Sequence, residues 1–374
     1  MFPHLYVHIP FCTGKCHYCG FYSVVADDRY LKGAYPAVLA CEWSPQVRAM
    51  FPETAGHIRT VYIGGGSPDT LGAEGLPRLA AILNAQFPLG EVEEWTVELN
   101  PSGVTPEMLD ALLRMGATRV SVGVQSFNND TLRRIGRRHS VQDVVHAVRR
   151  VQGLGFNNVG IDLIAGLPDV SDAEWKRTLE QALSLGLTHL SVYALSVEDN
   201  TPLARQVADG QCALPNDAAQ LDALARAEEM LTGAGFGRYE ISNYALPGFA
   251  CKHNLGIWRG NDFLGLGPSA ASRAGRWRWT NPRSLDEALP VKRERLSARD
   301  DALERVMFRL RLDEGFDPVA AAADYPVLNG VGDEWEKRLA GLSRQGVVER
   351  GGLRWRLTPR GREVCDAVIR AVFA

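Results

Sequence analysis

Residues 95–116 read WTVELNPSGVTPEMLDALLRMG. The run WTVEL is β-rich. After a short Pro- and Gly-containing connection, PEMLDALLRMG carries apolar residues at helical spacing and stops at Gly116, a usual helix stop. This is one strand followed by one helix. The same unit recurs on both sides. LYVHI (5–9), TVYIG (60–64), RVSVGVQ (119–125), VGIDLI (159–164) and HLSVYAL (189–195) are further β-rich runs, each followed by helical periodicity, as in VQDVVHAVRRVQGLG (141–155). Strands alternating with helices build a parallel sheet. Six such units are fewer than the eight that close a barrel. The expected fold is therefore α/β, a partial, open (β/α)6 TIM-like barrel over residues 1–240.

After about residue 240 the pattern changes. Residues 241–290 are rich in Gly, aromatic and small residues and read as connecting loops with short strands, including HNLGIW (253–258). Residues 291–374 contain the helical stretches ALERVMFRLRL and WEKRLAGLSRQG. They are followed by VVERGGLRWRLTPRG, read as a hairpin turning at Gly351-Gly352. Helix, helix and hairpin form an expected C-terminal α+β, winged-helix-like domain.

The chain has 374 residues, is 45% hydrophobic and 23% charged, and carries a formal net charge of -3, so it is an ordinary globular composition without the basic excess of a nucleic-acid binder. No apolar run approaches the roughly 20 residues that span a bilayer. The opening MFPHLYVHIPFC lacks the basic-then-apolar pattern of a signal peptide. The expectation is a cytoplasmic protein without a membrane span, in which cysteines stay reduced.

Four of the seven cysteines (Cys41, Cys212, Cys251, Cys365) are scattered, whereas Cys12, Cys16 and Cys19 lie together after the first strand, on a loop with Gly14 and Gly20. Thiolates in such a cluster select zinc or iron–sulfur centres. Four readings compete: a zinc site completed by His8 or His17, a Cys16/Cys19 redox pair, unligated cysteines, and a [4Fe–4S] cluster. With only three cysteines, a cluster keeps one iron open for a ligand. The other polar candidates sit where α/β barrels gather chemistry, at the C-terminal ends of strands. GGGSP (64–68) follows the second run, Glu98 and Gln125 end the third and fourth, Asp162 lies in the fifth, and Tyr193 and Ala194 end the sixth. Polar groups inside apolar strands are costly to bury unpaired, so they are expected to converge on one polar ligand.

The Cx3Cx2C spacing after a first strand, followed by GGGSP, resembles the radical S-adenosylmethionine (SAM) superfamily. The resemblance implies a [4Fe–4S] cluster on Cys12, Cys16 and Cys19, with SAM chelating the open iron and yielding a 5′-deoxyadenosyl radical. The motifs YVHIPFC, GGGSP, ELNP, GVQSFN, IDLIAGLP and HNLGIW are similar, over nearly the whole chain, to the oxygen-independent coproporphyrinogen III oxidase family, and most to its HemW heme-chaperone branch. This implies SAM contacts by Tyr6, Tyr18, Gly65, Gly66, Ser67, Glu98, Gln125, Arg137, Asp162, Ala194 and Ala271.

The oxidases carry a further cysteine where this chain has Phe21, and an N-terminal extension. Both differences favour the chaperone branch, which binds heme and delivers it to apoproteins. There HNLGIW implies His253 as an axial heme ligand, with Asn254 beside it and Trp258 stacked on the porphyrin. Ile257 stands where that branch has Tyr, and Ala271 where it often has His. Cys251 is an alternative heme ligand. The competing enzyme reading is a coproporphyrinogen III dehydrogenase, an oxidoreductase of porphyrin biosynthesis, in which Arg276 and Arg278 meet propionates. A third reading, an enzyme acting on RNA, rests only on GRWRWTNPR and the winged-helix-like tail.

Overall fold

The computed structural model describes residues 2–25, 34–43, 57–87, 89–285 and 291–374. Six parallel strands form its centre in chain order: β1 (His4–Ile9), β2 (Thr60–Gly65), β3 (Glu94–Leu99), β4 (Arg119–Gln125), β5 (Asn158–Ala165) and β6 (His189–Ala194). These are the six runs expected from the sequence, and the sheet does not close. It continues past β1 through a parallel strand, Phe263–Leu266, and then the antiparallel Ala271–Ala274, Trp277–Thr280 and Arg293–Arg295. Past β6 it continues through the antiparallel Asn243–Ala245 and Gly237–Arg238. Residues 241–290 are thus largely an extension of the barrel sheet, and the expected boundary at 290 falls beside 286–290, outside the described residues.

The β3 unit and the helix that follows it show why the sequence folds this way. The Pro106–Met115 helix starts at Thr105, whose hydroxyl accepts the Met108 N–H, and stops at Gly116, which is left-handed at φ 86°. Met108, Leu109 and Leu112 point inward and are buried. Along the strands, alternate residues face opposite sides. Leu5, Val7, Val61, Ile63, Val97, Val120, Val122, Ile161 and Leu163 lie in the apolar core. The intervening positions carry His4, Tyr6, Thr60, Tyr62, Glu94, Glu98, Arg119, Ser121, Asp162, His189 and Ser191. The barrel interior is accordingly polar from end to end.

HNLGIW departs from the loop expectation. Lys252–Trp258 is a helix. Its first amides, Lys252 N–H and His253 N–H, donate to the two carboxylate oxygens of Glu94 at 3.0 Å each. A carboxylate at a helix start both caps free N–H groups and meets the positive end of the helix dipole. The cap comes from a distant strand, so no local signal announced it.

The C-terminal unit has its own core, built on Val306, Leu310, Trp335, Leu339, Trp355 and Phe373. Its hairpin pairs Val348–Gly351 with Arg354–Leu357. Gly351 pairs with Arg354, so the turn falls on Gly352 (φ 63°) and Leu353, one residue later than expected. Among the described residues no helix is long and apolar enough to cross a membrane.

Candidate functional site

A cavity of about 520 Å³ opens at the C-terminal ends of the barrel strands. Cys12, Cys16 and Cys19 line it, together with Tyr18, Gly65, Gly66, Ser67, Glu98, Gln125, Arg137, Asp162 and Ala194. These twelve residues were expected to share a site, and they come together from the cysteine loop, five barrel strands and the loops after them, and, for Arg137, the segment after the Asn129–Arg134 helix.

The glycine loop is shaped by lack of room. Gly65 has φ 105°, and a Cβ there would lie 2.5 Å from His8 Nδ1. A Cβ on Gly66 would meet the Phe11 carbonyl oxygen at 2.7 Å and Cys12 Sγ at 3.0 Å. Only bare backbone can pass this close to the cysteine loop. Gln125 is also left-handed, at φ 70°, and sits at a register shift between β4 and β5. A bulge of this kind re-aims a side chain, and here it turns Gln125 to the cavity.

Glu98 is open to the cavity yet lies deep in the barrel. It accepts the Tyr62 hydroxyl at 2.6 Å and Gly65 N–H at 3.2 Å. Burial, reinforced by the nearby Asp162 carboxylate, pushes its pKa up to about 7. Burial also raises Asp162, against the hydrogen bonds of Ser191 and Ser121. Desolvation pushes the Cys12 thiol up to about 11 and raises Cys19 as well. Metal uptake by these thiols therefore releases protons.

The donor chemistry fits a cluster better than a single zinc ion. Tyr22 O lies 2.9 Å from His8 Nε2, and the Tyr6 hydroxyl lies 3.1 Å from His8 Nδ1. His17 Nδ1 is taken by the Arg134 carbonyl at 2.8 Å. Neither histidine lines the cavity. Among the described residues no three His, Cys, Asp or Glu side chains converge as one ion requires. Three thiols spread round a cavity suit an object with several iron corners.

Other expected residues lie elsewhere. Tyr6 faces the barrel interior below the cavity, with its ring 6.1 Å from that of Tyr62. Ala271 is exposed at the start of its strand, and its carbonyl oxygen lies 2.2 Å from where a Cβ on Gly265 would stand. His253 is only 3% exposed and closes the opposite, N-terminal end of the barrel. Its Nδ1 lies 2.8 Å from Thr60 Oγ1, and burial lowers its pKa to about 3. Asn254 shares that helix and is partly buried. Trp258 packs edge-on to Phe308, and the Arg311 guanidinium sits 5.2 Å over its ring. Cys251 is fully buried, and its Sγ donates to Glu94 Oε1 at 3.3 Å.

Neither arginine considered for propionates lines the cavity. Arg278 pairs with Glu294 and Glu304, and Arg276 Nε donates to Leu296 O. Trp277 and Trp279 are covered by Arg295 and Arg293. Sequence reasoning gave no role to Asn100 or Asp69. Asn100 lines the cavity and joins Ser67 to Arg137. The only signal was its place in ELNP, two residues after Glu98.

The chain is similar to known proteins over its whole length. Residues 6–182 match the model of the Radical SAM superfamily. The chain is 35% identical to the heme chaperone HemW of Mycobacterium tuberculosis (strain ATCC 25618 / H37Rv), covering 99% of this chain and 94% of that one. It is 32% identical to the heme chaperone HemW of Escherichia coli (strain K12), covering 99% and 98%. Among solved structures, the coproporphyrinogen III oxidase HemN of Escherichia coli, a radical SAM enzyme, superposes with TM-score 0.83 at 25% identity, covering 100% of this chain and 90% of that one. With its cysteine loop, glycine loop and barrel carboxylates gathered on one cavity, and with relatives alike from end to end, the chain belongs to the HemW heme-chaperone family of radical SAM proteins.

Proposed function

We propose that this protein is a heme chaperone of the cytoplasm, which binds a [4Fe–4S] cluster and SAM in the barrel cavity, binds heme, and passes heme to apoproteins. The observation that carries the reading is the convergence of Cys12, Cys16 and Cys19 with the Gly65–Ser67 loop on one cavity. The three thiols would hold three irons of the cluster. The Gly65–Ser67 turn suits the amino-acid end of SAM through Ser67 N–H and the Ser67 hydroxyl, since Gly66 N–H already donates to the Ile9 carbonyl. Glu98 holds a proton near neutrality, and together with Asp162 it suits ribose hydroxyls or an ammonium. Arg137 suits a carboxylate. Bound there, cluster and SAM supply one-electron radical chemistry. The protein's part is to position these groups and to keep bulk water from the barrel interior.

The heme part rests on the names of the HemW relatives. His253 is its candidate iron ligand, with Asn254 and Trp258 beside it, and engagement requires the Lys252–Trp258 helix to release Thr60 and Glu94. Titration of the purified protein with hemin, followed by its Soret band, tests this. Wild type is expected to bind, and His253→Ala to bind at least tenfold more weakly. Wild type that leaves hemin unbound overturns the chaperone reading. Binding unchanged by His253→Ala moves the ligand elsewhere. The fold shared with HemN supports one second reading, coproporphyrinogen III dehydrogenase. Conversion of coproporphyrinogen III under anaerobic, reducing conditions with SAM would select it.

A further inference from the structure

Arg137 reaches across the cavity floor to the cysteine loop. Its Nη1 donates to Cys16 Sγ at 3.5 Å. Its Nη2 donates to Asn100 Oδ1 at 2.8 Å and to the Gly123 carbonyl. Asn100 turns its other face to the glycine loop. Its Nδ2 donates to Ser67 Oγ, and the Ser67 hydroxyl donates to Asp69 Oδ1 at 2.6 Å. The same Asp69 oxygen accepts Asn100 N–H at 3.1 Å. Asn100 is thus held at two points, by Ser67 and Asp69, and holds the guanidinium in turn. A long, flexible arginine left without such a partner would sample many rotamers.

A cationic donor on a cysteine sulfur matters for a cluster ligand. One-electron reduction adds one negative charge to the cluster and its thiolates, and moves no proton or bond. A positive N–H donor stabilises the more negative state, so hydrogen bonds to the sulfurs raise the reduction potential. Partners of a ligand's own partner keep that contact in place.

We propose that Asn100 is a positioning residue for the cluster: it holds the Arg137 guanidinium on Cys16 Sγ, sets the reduction potential through that contact, and ties it to the Ser67 turn of the glycine loop. The proposal rests on the cluster reading above and adds a role for a residue outside the ligand set.

The test is a redox titration of the full-length protein, reconstituted anaerobically with iron and sulfide, reduced with dithionite and followed by electron paramagnetic resonance. Wild type, Asn100→Leu, Arg137→Met and the double variant are compared at equal iron content. Asn100→Leu and Arg137→Met are each expected to lower the reduced-to-oxidised ratio at a fixed potential about tenfold, which is about 59 mV for one electron. The double variant is expected to shift no further than either single one, because both act through the same contact. If Asn100→Leu loads poorly, Asn100→Ser gives the same comparison. An unchanged potential in a fully loaded Asn100 variant overturns the proposal, as do shifts that add. A wild-type protein that takes up no cluster at all overturns the cluster reading itself.

Discussion

The Thr60 hydroxyl lies 2.8 Å from Nδ1 of His253, a residue 193 positions away in the chain. Thr60 opens β2, and His253 lies in the first turn of the helix that closes the barrel's N-terminal end. The same hydroxyl lies 2.8 Å from His4 Nδ1, and Gly256 approaches so closely that a Cβ would fall 2.0 Å from His4 Nε2. The motif most suggestive of heme is therefore also a tightly fitted barrel plug. The two ends of the barrel differ in kind: the C-terminal end is open and chemical, the N-terminal end closed and packed.

The plug makes stability acid-sensitive. Burial lowers the pKa of the plug residues His4 to about 4 and His253 to about 3, and, outside the plug, of His139 beside the Val124 carbonyl to about 4. An unfolded histidine titrates near 6.5. Between that value and about pH 4 the unfolded chain takes up protons that the folded chain refuses. The stabilisation is therefore complete above pH 6.5 and lost as pH falls, by at most about 1.4 kcal/mol per pH unit for each histidine. Urea unfolding at pH 7.5 and pH 5 is expected to show a lower midpoint at pH 5. His253→Gln should be less stable at pH 7.5 by about 1–3 kcal/mol and lose less on acidification. A midpoint that rises at pH 5 would refute this.

Glu98 acts in the opposite sense. Its pKa of about 7 lies above the ordinary glutamate value, so the folded protein holds a proton that the unfolded chain has released. Stability falls as pH rises from about 4.5 to about 7 on this account. Glu98→Gln is expected to stabilise the ligand-free protein at pH 8 by about 1–3 kcal/mol, with the gain vanishing near pH 4.5. SAM affinity, measured by calorimetry, should drop about tenfold through the lost carboxylate. A variant with unchanged SAM affinity would remove Glu98 from the binding site.

The glycine loop can be tested against an internal control. Gly65 and Gly72 are both left-handed, at φ 105° and 73°, but only Gly65 has a neighbour within 4 Å of an added Cβ. Gly72→Ala should cost about 1 kcal/mol of backbone strain. Gly65→Ala should cost about 2–4 kcal/mol, because strain adds to the clash with His8, and should abolish SAM binding. Equal thermal shifts for the two variants would show that the approach to His8 relaxes freely.

Glu228 joins the barrel to the C-terminal unit. It accepts Arg238 Nη1 at 2.8 Å and Arg362 Nη2 at 2.7 Å, and both arginine side chains are 11% exposed. Glu228→Gln leaves two poorly hydrated cations facing each other. The expected loss is about 2–4 kcal/mol, read by chemical denaturation. Faster hydrogen exchange around Arg362 should accompany it. A loss below about 0.5 kcal/mol would place the pair among ordinary surface ion pairs.

By itself, the sequence determined the six βα units, the cysteine spacing and the glycine loop, because each is written in neighbouring residues. Alternation and helical spacing act over a few positions, and Thr105 and Gly116 cap their helix within one turn. Tertiary structure decided the rest. The Lys252–Trp258 helix starts on a carboxylate contributed by β3, and so was invisible in HNLGIW. Gln125 enters the cavity because the β4–β5 register slips. Glu98 gains its proton from burial beside Asp162. Asn100 gains its place from two loops that meet only in the folded barrel. Local chemistry sets which elements form. Burial, charge and contact across strands set what their residues do.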